Sequence, residues 1–302
     1  MHIAVCIVSY RNSDDIRACL AALGKSTYGE FEVVICENGG ADAFARLGAT
    51  IPKALAGGQA VRLVLAAGNL GYAGGVNVCL GETLAADAWW VLNPDTEVDP
   101  LALECLLRRL RAGGCDMVGG TIHGPDGAIE SRGGRWWPWF ARSASIDFGA
   151  KLSDQVDVQK VESEIAYVSG ASMLVSRHFL EVAGLMREDY FLYCEEVEWC
   201  QRAQLLGLKL GYAPDALILH HKGTTTGSVA DFKRRPKAPV FLDERNKILL
   251  TRDLFPKRLP IAILAALTIL LVRYGKRLAW RQLGYAFQGW LAGLRNRRGL
   301  IG

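Results

Sequence analysis

Along the first hundred residues, closed apolar runs alternate with amphipathic stretches. Residues 2–9 form a continuous run rich in Val and Ile, the pattern of a strand covered on both faces. Asp14 and Asp15 then open a stretch in which Ile16, Leu20 and Leu23 share one helical side. Residues 31–36 repeat the buried-strand pattern and end on Glu37-Asn38-Gly39-Gly40, a turn signal. A third strand at Val61–Leu65 runs into the glycine-rich stretch 68–75, with a helix predicted over about 76–85. A fourth, at 89–92, stops at Asn93-Pro94-Asp95, and Pro100 begins a helix over 101–110. This alternation predicts an α/β protein with a doubly wound, mostly parallel sheet. Such sheets bind ligands at the carboxyl ends of their strands, where the polar clusters after all four strands fall.

The second half is less regular. Residues 115–165 hold turn signals and the aromatic segment Arg135-Trp136-Trp137-Pro138-Trp139-Phe140. A strand is predicted over 167–175, carrying Ser169-Gly170-Ala171. A helix follows over 195–206, then short strands at 209–212 and 216–220.

The composition, 50% hydrophobic and 22% charged over 302 residues, excludes a disordered or fibrous chain. Charge is unevenly placed. Residues 231–302 carry 16 Lys/Arg against 4 Asp/Glu, a net of +12, which leaves 19 basic and 27 acidic residues, a net of −8, in residues 1–230. An acidic body suits metal or sugar chemistry and a basic tail suits an anionic partner. None of the eight cysteines forms a C-x-x-C pair, so they read as reduced core residues. The N-terminus lacks a signal-peptide pattern, which suggests a cytosol-facing protein. The uncharged apolar run 259–272 would reach about 21 Å as a helix, short of a hydrocarbon core of about 30 Å, so no membrane span is predicted.

Four constellations could carry chemistry. Asn93-Pro94-Asp95 offers a carboxylate for a divalent cation bridging a diphosphate, although alone it reads more readily as a turn. Glu195, Glu196 and Glu198 stand among aromatics. On a helix Glu195, Glu198 and Arg202 share a face and Glu196 points roughly 100° from Glu195. A partly desolvated glutamate there is fit to take a proton from a hydroxyl; Glu198–Arg202 alone reads as a helical ion pair. His220-His221-Lys222-Gly223 puts a histidine, a metal ligand or a plain loop residue, at a strand end. The glycines of 68–75, with Asn77 beyond, lack G-x-G-x-x-G spacing but allow close approach of backbone to a ligand.

Taken in order, these segments resemble family 2 glycosyltransferases of the GT-A fold, over roughly residues 2–250. The resemblance rests on Val8-Ser9-Tyr10, Glu37-Asn38-Gly39, Asn69 to Asn77, Leu92-Asn93-Pro94-Asp95, Ser169-Gly170-Ala171, Phe191 to Arg202, His220-x-x-Gly223 and Arg245-Asn246. The variant is similar to a bacterial rhamnosyltransferase-like group that builds surface polysaccharides. It implies a GT-A catalytic domain over 1–255 (nucleotide-binding part about 1–115, acceptor-binding part about 116–255) and a helical tail over 256–302. It further implies a nucleotide-sugar donor (dTDP-rhamnose or a UDP-sugar), a glycan or lipid-linked acceptor and a divalent cation, Mg or Mn. Donor-binding residues would be Ser9, Tyr10, Glu37, Asn38, Asn69, Gly74, Asn77, Asn93, Asp95 and Arg245. Asp95 and His220 would hold the metal, Glu196 would be the general base and Glu195 its catalytic neighbour. Glu37 and the single carboxylate of Asn93-Pro94-Asp95 depart from the family's Asp and Asp-x-Asp. The alternative is a nucleotide-sugar-binding or scaffold protein without turnover.

In the tail, Trp280, Leu283, Phe287, Trp290, Leu291 and Leu294 recur at spacings of three and four, flanked by arginines and lysines. This suits a helix lying on an anionic membrane, at the cytoplasmic face of the inner membrane, or one packed on the catalytic domain or a second copy in a homodimer. The apolar stripe and the lack of a nucleic-acid-binding module argue against nucleic acid.

Overall fold

The computed structural model describes residues 1–221 and 231–300. Its strands are β1 (Ile3–Ser9), β2 (Phe31–Glu37), β3 (Val61–Leu65), β4 (Ala88–Leu92), β5 (Thr96–Val98), β6 (Met117–His123), β7 (Ile129–Ser131), β8 (Gly134–Trp137), β9 (Arg142–Ser145), β10 (Ser172–Ser176) and β11 (Leu210–His220). The helices are α1 (Ser13–Leu23), α2 (Ala41–Gly48), α3 (Gly71–Gly81), α4 (Ala102–Arg111), α5 (Val158–Glu164), α6 (Arg177–Ala183), α7 (Glu195–Leu205), α8 (Lys237–Leu254), α9 (Leu259–Gly275) and α10 (Trp280–Leu294).

The main sheet runs β3-β2-β1-β4-β10-β6-β11-β5, with β7 beside β6. Its first four strands are parallel, and β10 runs antiparallel to both β4 and β6. Strand order reverses beside β1, which has β2 on one side and β4 on the other, opening a crevice at their carboxyl ends. Side chains of β1 alternate between two cores. Ala4, Cys6 and Val8 face the layer of α3, α6 and α7; Ile3, Val5 and Ile7 face α1 and α4. Both faces are thus covered, which is why the strand reads as one unbroken apolar run. The eight cysteines are buried and unpaired.

Several elements differ from the pattern predicted from sequence, among them the short strands at 209–212 and 216–220, which are one strand, β11, with an irregularity between Tyr212 and Leu217. The glycine-rich stretch is helical from Gly71 rather than from about residue 76. Gly71 has φ +72°, and a Cβ there would lie 2.1 Å from the Phe191 carbonyl oxygen, so only glycine fits this approach. Ser169-Gly170-Ala171 lies before β10 rather than within a strand. The irregular region contains a central strand, β6, whose glycines escape a strand pattern because neighbours fill their places: Val168 packs over Gly119, Ala216 and Ile218 over Gly120.

At the C-terminal end, α10 lies along α8, where Gly289 and Gly293 let its backbone approach Phe241 and Arg245. Ala262, Ala266, Leu270 and Tyr274, four apart, form the buried face of α9. The stretch Pro256–Gly275 extends the uncharged run at both ends. At 20 residues it is long and apolar enough to cross a membrane by length and composition, which corrects the shorter length predicted from sequence. Only 22% of its apolar window is buried inside the protein. Of the tail positions at spacings of three and four, Trp290 is buried, whereas Trp280, Phe287 and Leu294 are exposed.

Candidate active site

The crevice begins where register sets Ser9 opposite Glu37 at the ends of β1 and β2. Both are buried. Ser9 Oγ lies 2.5 Å from Glu37 Oε2, and the other carboxylate oxygen accepts the backbone N–H groups of Gly39 (2.6 Å) and Arg11 (3.2 Å). The geometry therefore makes Glu37 the clasp that shapes the two loops, rather than a carboxylate turned outward. Tyr10 stands exposed at the rim with the Arg11 guanidinium over its ring. Asn38 donates from Nδ2 to the Gly71 carbonyl at 2.7 Å, while its buried Oδ1 has no hydrogen-bond partner. Exposed Asn69 accepts from the Gly71 N–H, and Gly74 is buried in the first turns of α3.

Two residues assigned to the donor from sequence do other work. Asn77 Nδ2 donates to the Met186 carbonyl and to Glu188 (2.9 Å each), and its Oδ1 accepts from the Met186 N–H. It docks α3 on the 186–188 segment. Arg245, 2% exposed, donates to the carbonyls of Tyr190 and Gly299 from behind the turn that precedes α7, not into the crevice. Both are corrected to positioning residues.

Asn93-Pro94-Asp95 follows β4 at the heart of the crevice. The Asn93 N–H donates to the Ala171 carbonyl, bringing Ser169-Gly170-Ala171 alongside. Antiparallel pairing sets His220 opposite Thr96, and its Nε2 lies 3.3 Å from Asp95 Oδ1. On the other side of the ring, Nδ1 lies 2.9 Å from Glu130 Oε2. Burial pushes the imidazole down, but its bonds to Asp95 and Glu130 prevail and raise it to about 9. Glu130 escaped sequence reasoning because it stands on a three-residue strand in the irregular region, and meets His220 only through the pairing of β6 with β7 and β11. His221 points elsewhere, to Glu97 at 2.8 Å. Lys222 to Gly227, including Gly223 of the motif, lies outside the described residues.

Asp95 and His220 supply one oxygen and one nitrogen donor, and no group of three or more His, Cys, Asp or Glu among the described residues could hold a metal ion. That donor set fits a cation shared with a ligand, since magnesium-type ions take one or two carboxylates and complete their shell with phosphate oxygens and water. It does not fit a closed structural metal.

The carboxylate pair opens α7. A turn with Phe191, Tyr193 and Cys194 at φ between +69° and +72° delivers it. Buried Asn246 holds that turn: its Nδ2 lies 2.8–2.9 Å from the carbonyls of Tyr190, Leu192 and Tyr193. Beneath it, Arg298 and Arg187 bind both Asp189 and Asp253, and the Tyr190 hydroxyl donates to Asp253. Glu198 pairs with Arg202 at 2.8 Å and is fully buried, a helix lock as the i,i+4 spacing predicts. Trp199, edge-on to Phe179, anchors the same helix.

Glu195 is buried, and its Oε2 has no hydrogen-bond partner. Burial, then repulsion from Glu196, raises it to about 8. Half-buried Glu196 packs against Gly170 and is raised to about 7, chiefly by desolvation. The Tyr72 hydroxyl joins the two ends of the crevice. It donates to the Gly170 carbonyl at 2.6 Å; burial, then the charges of Glu195, Glu196 and Asp95, push it well above the tyrosine range. The loop it holds packs against Glu196 at Gly170 and accepts the Asn93 N–H at Ala171, so one loop borders both ends.

A model of Glycosyl transferase family 2 matches residues 4–182. The N-acetylglucosaminyl-diphospho-decaprenol L-rhamnosyltransferase of Mycobacterium tuberculosis is 30% identical over 253 residues, 74% of this chain and 77% of that protein. The low-salt glycan biosynthesis hexosyltransferase Agl10 of Haloferax volcanii is 22% identical over 98% of this chain and 92% of its own. Among solved structures, the mannosyltransferase PcManGT of Pyrobaculum calidifontis, in complex with GDP-Man and Mn2+, superposes with a TM-score of 0.58 at 17% identity, over 98% of this chain and 88% of that one. That likeness bears on the fold alone, which is GT-A with C-terminal helices. The chain belongs to glycosyl transferase family 2 and is a glycosyltransferase that uses a nucleotide-sugar donor.

Proposed function

We propose that the protein transfers a sugar, with inversion, from dTDP-rhamnose or, as second choice, a UDP-sugar to a hydroxyl of a glycan or lipid-linked acceptor in cell-surface polysaccharide synthesis. The observation that carries this reading is the Ser169-Gly170-Ala171 loop, which brings the two ends of the crevice together: the Tyr72 hydroxyl donates to the Gly170 carbonyl, Glu196 packs against Gly170, and the Ala171 carbonyl accepts the N–H of Asn93, two residues before Asp95. The acceptor oxygen bonds to the anomeric carbon as that carbon's bond to the diphosphate oxygen breaks, and Glu196 takes the acceptor's proton. Burial keeps its carboxyl basic enough for that near neutral pH. Ser9, Tyr10 and Asn38 line the nucleoside side, shaped by Glu37. Asp95 and His220 would hold a Mg or Mn ion, which when bound offsets the charge growing on the departing diphosphate. Glu130 orients the His220 ring, as second carboxylates commonly do for metal-bound imidazoles.

The lipid-linked acceptor and a place at the cytoplasmic face of the inner membrane are supported by exposed apolar side chains beside basic ones. Trp139 and Phe140 are exposed, with Arg258 of the segment leading into α9 over the Trp139 ring. Leu264 of α9 and Trp280 of α10 are exposed as well. The related rhamnosyltransferase of M. tuberculosis has a diphospho-decaprenol acceptor in its name.

The test is Glu196→Gln. Turnover falls by about 10²–10⁴-fold, the usual worth of a general base, while donor affinity is kept. Near-normal turnover in folded Glu196→Gln protein refutes the assignment.

A further inference from the structure

Away from the crevice, the segment before α8 and one side of α10 enclose a cavity of about 410 Å³. Lys233, Arg234, Arg235, Lys237 and Arg281 line it, and among the described residues no acidic side chain does. Lys233, Arg234, Lys237 and Arg281 are exposed to solvent. The enclosure is built rather than incidental. Gln282, 4% exposed, donates to the carbonyls of Lys233 and Arg235 and ties the basic segment to α10. Arg281 is set by Tyr285, whose hydroxyl accepts from its Nε at 2.5 Å. Lys233, Arg234, Lys237 and Arg281 concentrate positive charge around one opening, and phosphate is the anion that arginine forks and lysine ammoniums jointly suit.

Two neighbours narrow the class of anion. Trp280 (63% exposed) precedes Arg281 on α10, and Phe287 lies two turns on from Trp280, so the polar opening borders an apolar helix face. Lys237 and Asp243 stand six residues apart on α8, about 9 Å along the axis, and Asp243 is close enough to Glu196 to raise its carboxyl. One helix, α8, thus carries both the rim of the cavity and a residue whose charge reaches Glu196.

We propose that this cavity binds the diphosphate of a lipid-linked acceptor, with the apolar face of α10 against the start of its hydrocarbon. The assignment rests on the reading of the acceptor as lipid-linked. It holds the acceptor's phosphates apart from the donor's, which belong at Asp95.

The probe is farnesyl diphosphate, a short polyprenyl diphosphate without sugar, titrated into the full chain beside inorganic diphosphate and farnesol. The wild-type protein binds farnesyl diphosphate more tightly than either. Arg234→Gln/Lys237→Gln/Arg281→Gln weakens that binding about tenfold or more, since charged hydrogen bonds to phosphate are among the stronger ones, whereas the charge-keeping Arg234→Lys/Lys237→Arg/Arg281→Lys retains it. With a lipid-linked acceptor the Gln variant raises KM and leaves kcat and donor affinity unchanged. Equal farnesyl diphosphate binding in wild type and Gln variant overturns the proposal. So does inorganic diphosphate binding as tightly, which would make the site one for free phosphate. A Gln variant that loses phosphatidylglycerol vesicles but keeps farnesyl diphosphate overturns it in favour of a general membrane surface. Acceptor-free hydrolysis of the nucleotide sugar reports the reaction independently of the cavity: its loss in the Gln variant alone overturns the proposal by giving these side chains a role in the fold, whereas wild-type protein that transfers to a lipid-free glycan and not to a lipid-linked acceptor marks failure of the lipid-linked reading instead.

Discussion

Replacing Asn246 by alanine should uncouple the catalytic turn from the body of the protein. The buried amide approaches three carbonyls of the turn at 2.8–2.9 Å, and with two N–H protons it satisfies two at a time. Removing it orphans carbonyls at a cost of about 1–3 kcal/mol each. The turn also holds Phe191, Tyr193 and Cys194 at positive φ, which costs of order 1–3 kcal/mol per residue. The conformational cost and the bonds that offset it are therefore comparable. Without Asn246 the cheaper course is for the turn to relax out of the left-handed region. Glu196 begins two residues after Cys194, and a misplacement of about 1 Å at a reacting group can lower rate about 10²-fold. The expected result is a kcat lower by about 10–100-fold, donor affinity near wild type and a lower Tm, read by steady-state kinetics, calorimetry and thermal unfolding. Asn246→Asp, which keeps an acceptor for Arg245 but loses the donors, should behave alike. Wild-type kcat in a folded Asn246→Ala protein would refute the reasoning.

Because burial lifts Glu196 to about 7 and the base works as a carboxylate, turnover should rise with pH through neutrality and level off above it; a flat profile there would count against Glu196. Stripping divalent cations with EDTA should weaken donor binding and added Mn2+ or Mg2+ should restore it, whereas Asp95→Ala should bind weakly with or without EDTA; calorimetry reads both, and EDTA-insensitive wild-type binding contradicts the cation reading. Arg298→Ala leaves Asp189 to Arg187 and Asp253 to Arg187 and the Tyr190 hydroxyl, so stability should fall by about 1–3 kcal/mol and kcat should fall with it at unchanged donor affinity. An Arg298→Ala protein with wild-type kcat would detach the tail from the catalytic turn.

The half of the fold that alternates strand with helix was legible because β1 to β4 obey periodicity, and buried parallel strands announce themselves as unbroken apolar runs. β6 was not, since its Gly119 and Gly120 owe their place to Val168, Ala216 and Ile218, far away in sequence. The same division runs through the site. Asp95, His220, Glu195 and Glu196 stand at ends of elements, where polar residues break a pattern and can be noticed. Glu130 acts through a tertiary contact that no local pattern records, and Tyr72 and Asn246, although they stand inside matched motifs, act through tertiary contacts those motifs do not specify. Arg245 and Asn77 misled for a related reason: a motif marks that a residue matters to a site, not whether it faces the ligand or the loop behind it.

The bonds that the Arg298 guanidinium and the Gly299 N–H donate to Asp189, ahead of the turn before Glu195, also set an order of events during synthesis. A ribosome extrudes the sheet and both carboxylates long before it extrudes residue 298. The nascent chain can thus assemble the crevice while the turn that leads into Glu195 and Glu196 still lacks its last restraint, which arrives only when Arg298 is free to dock.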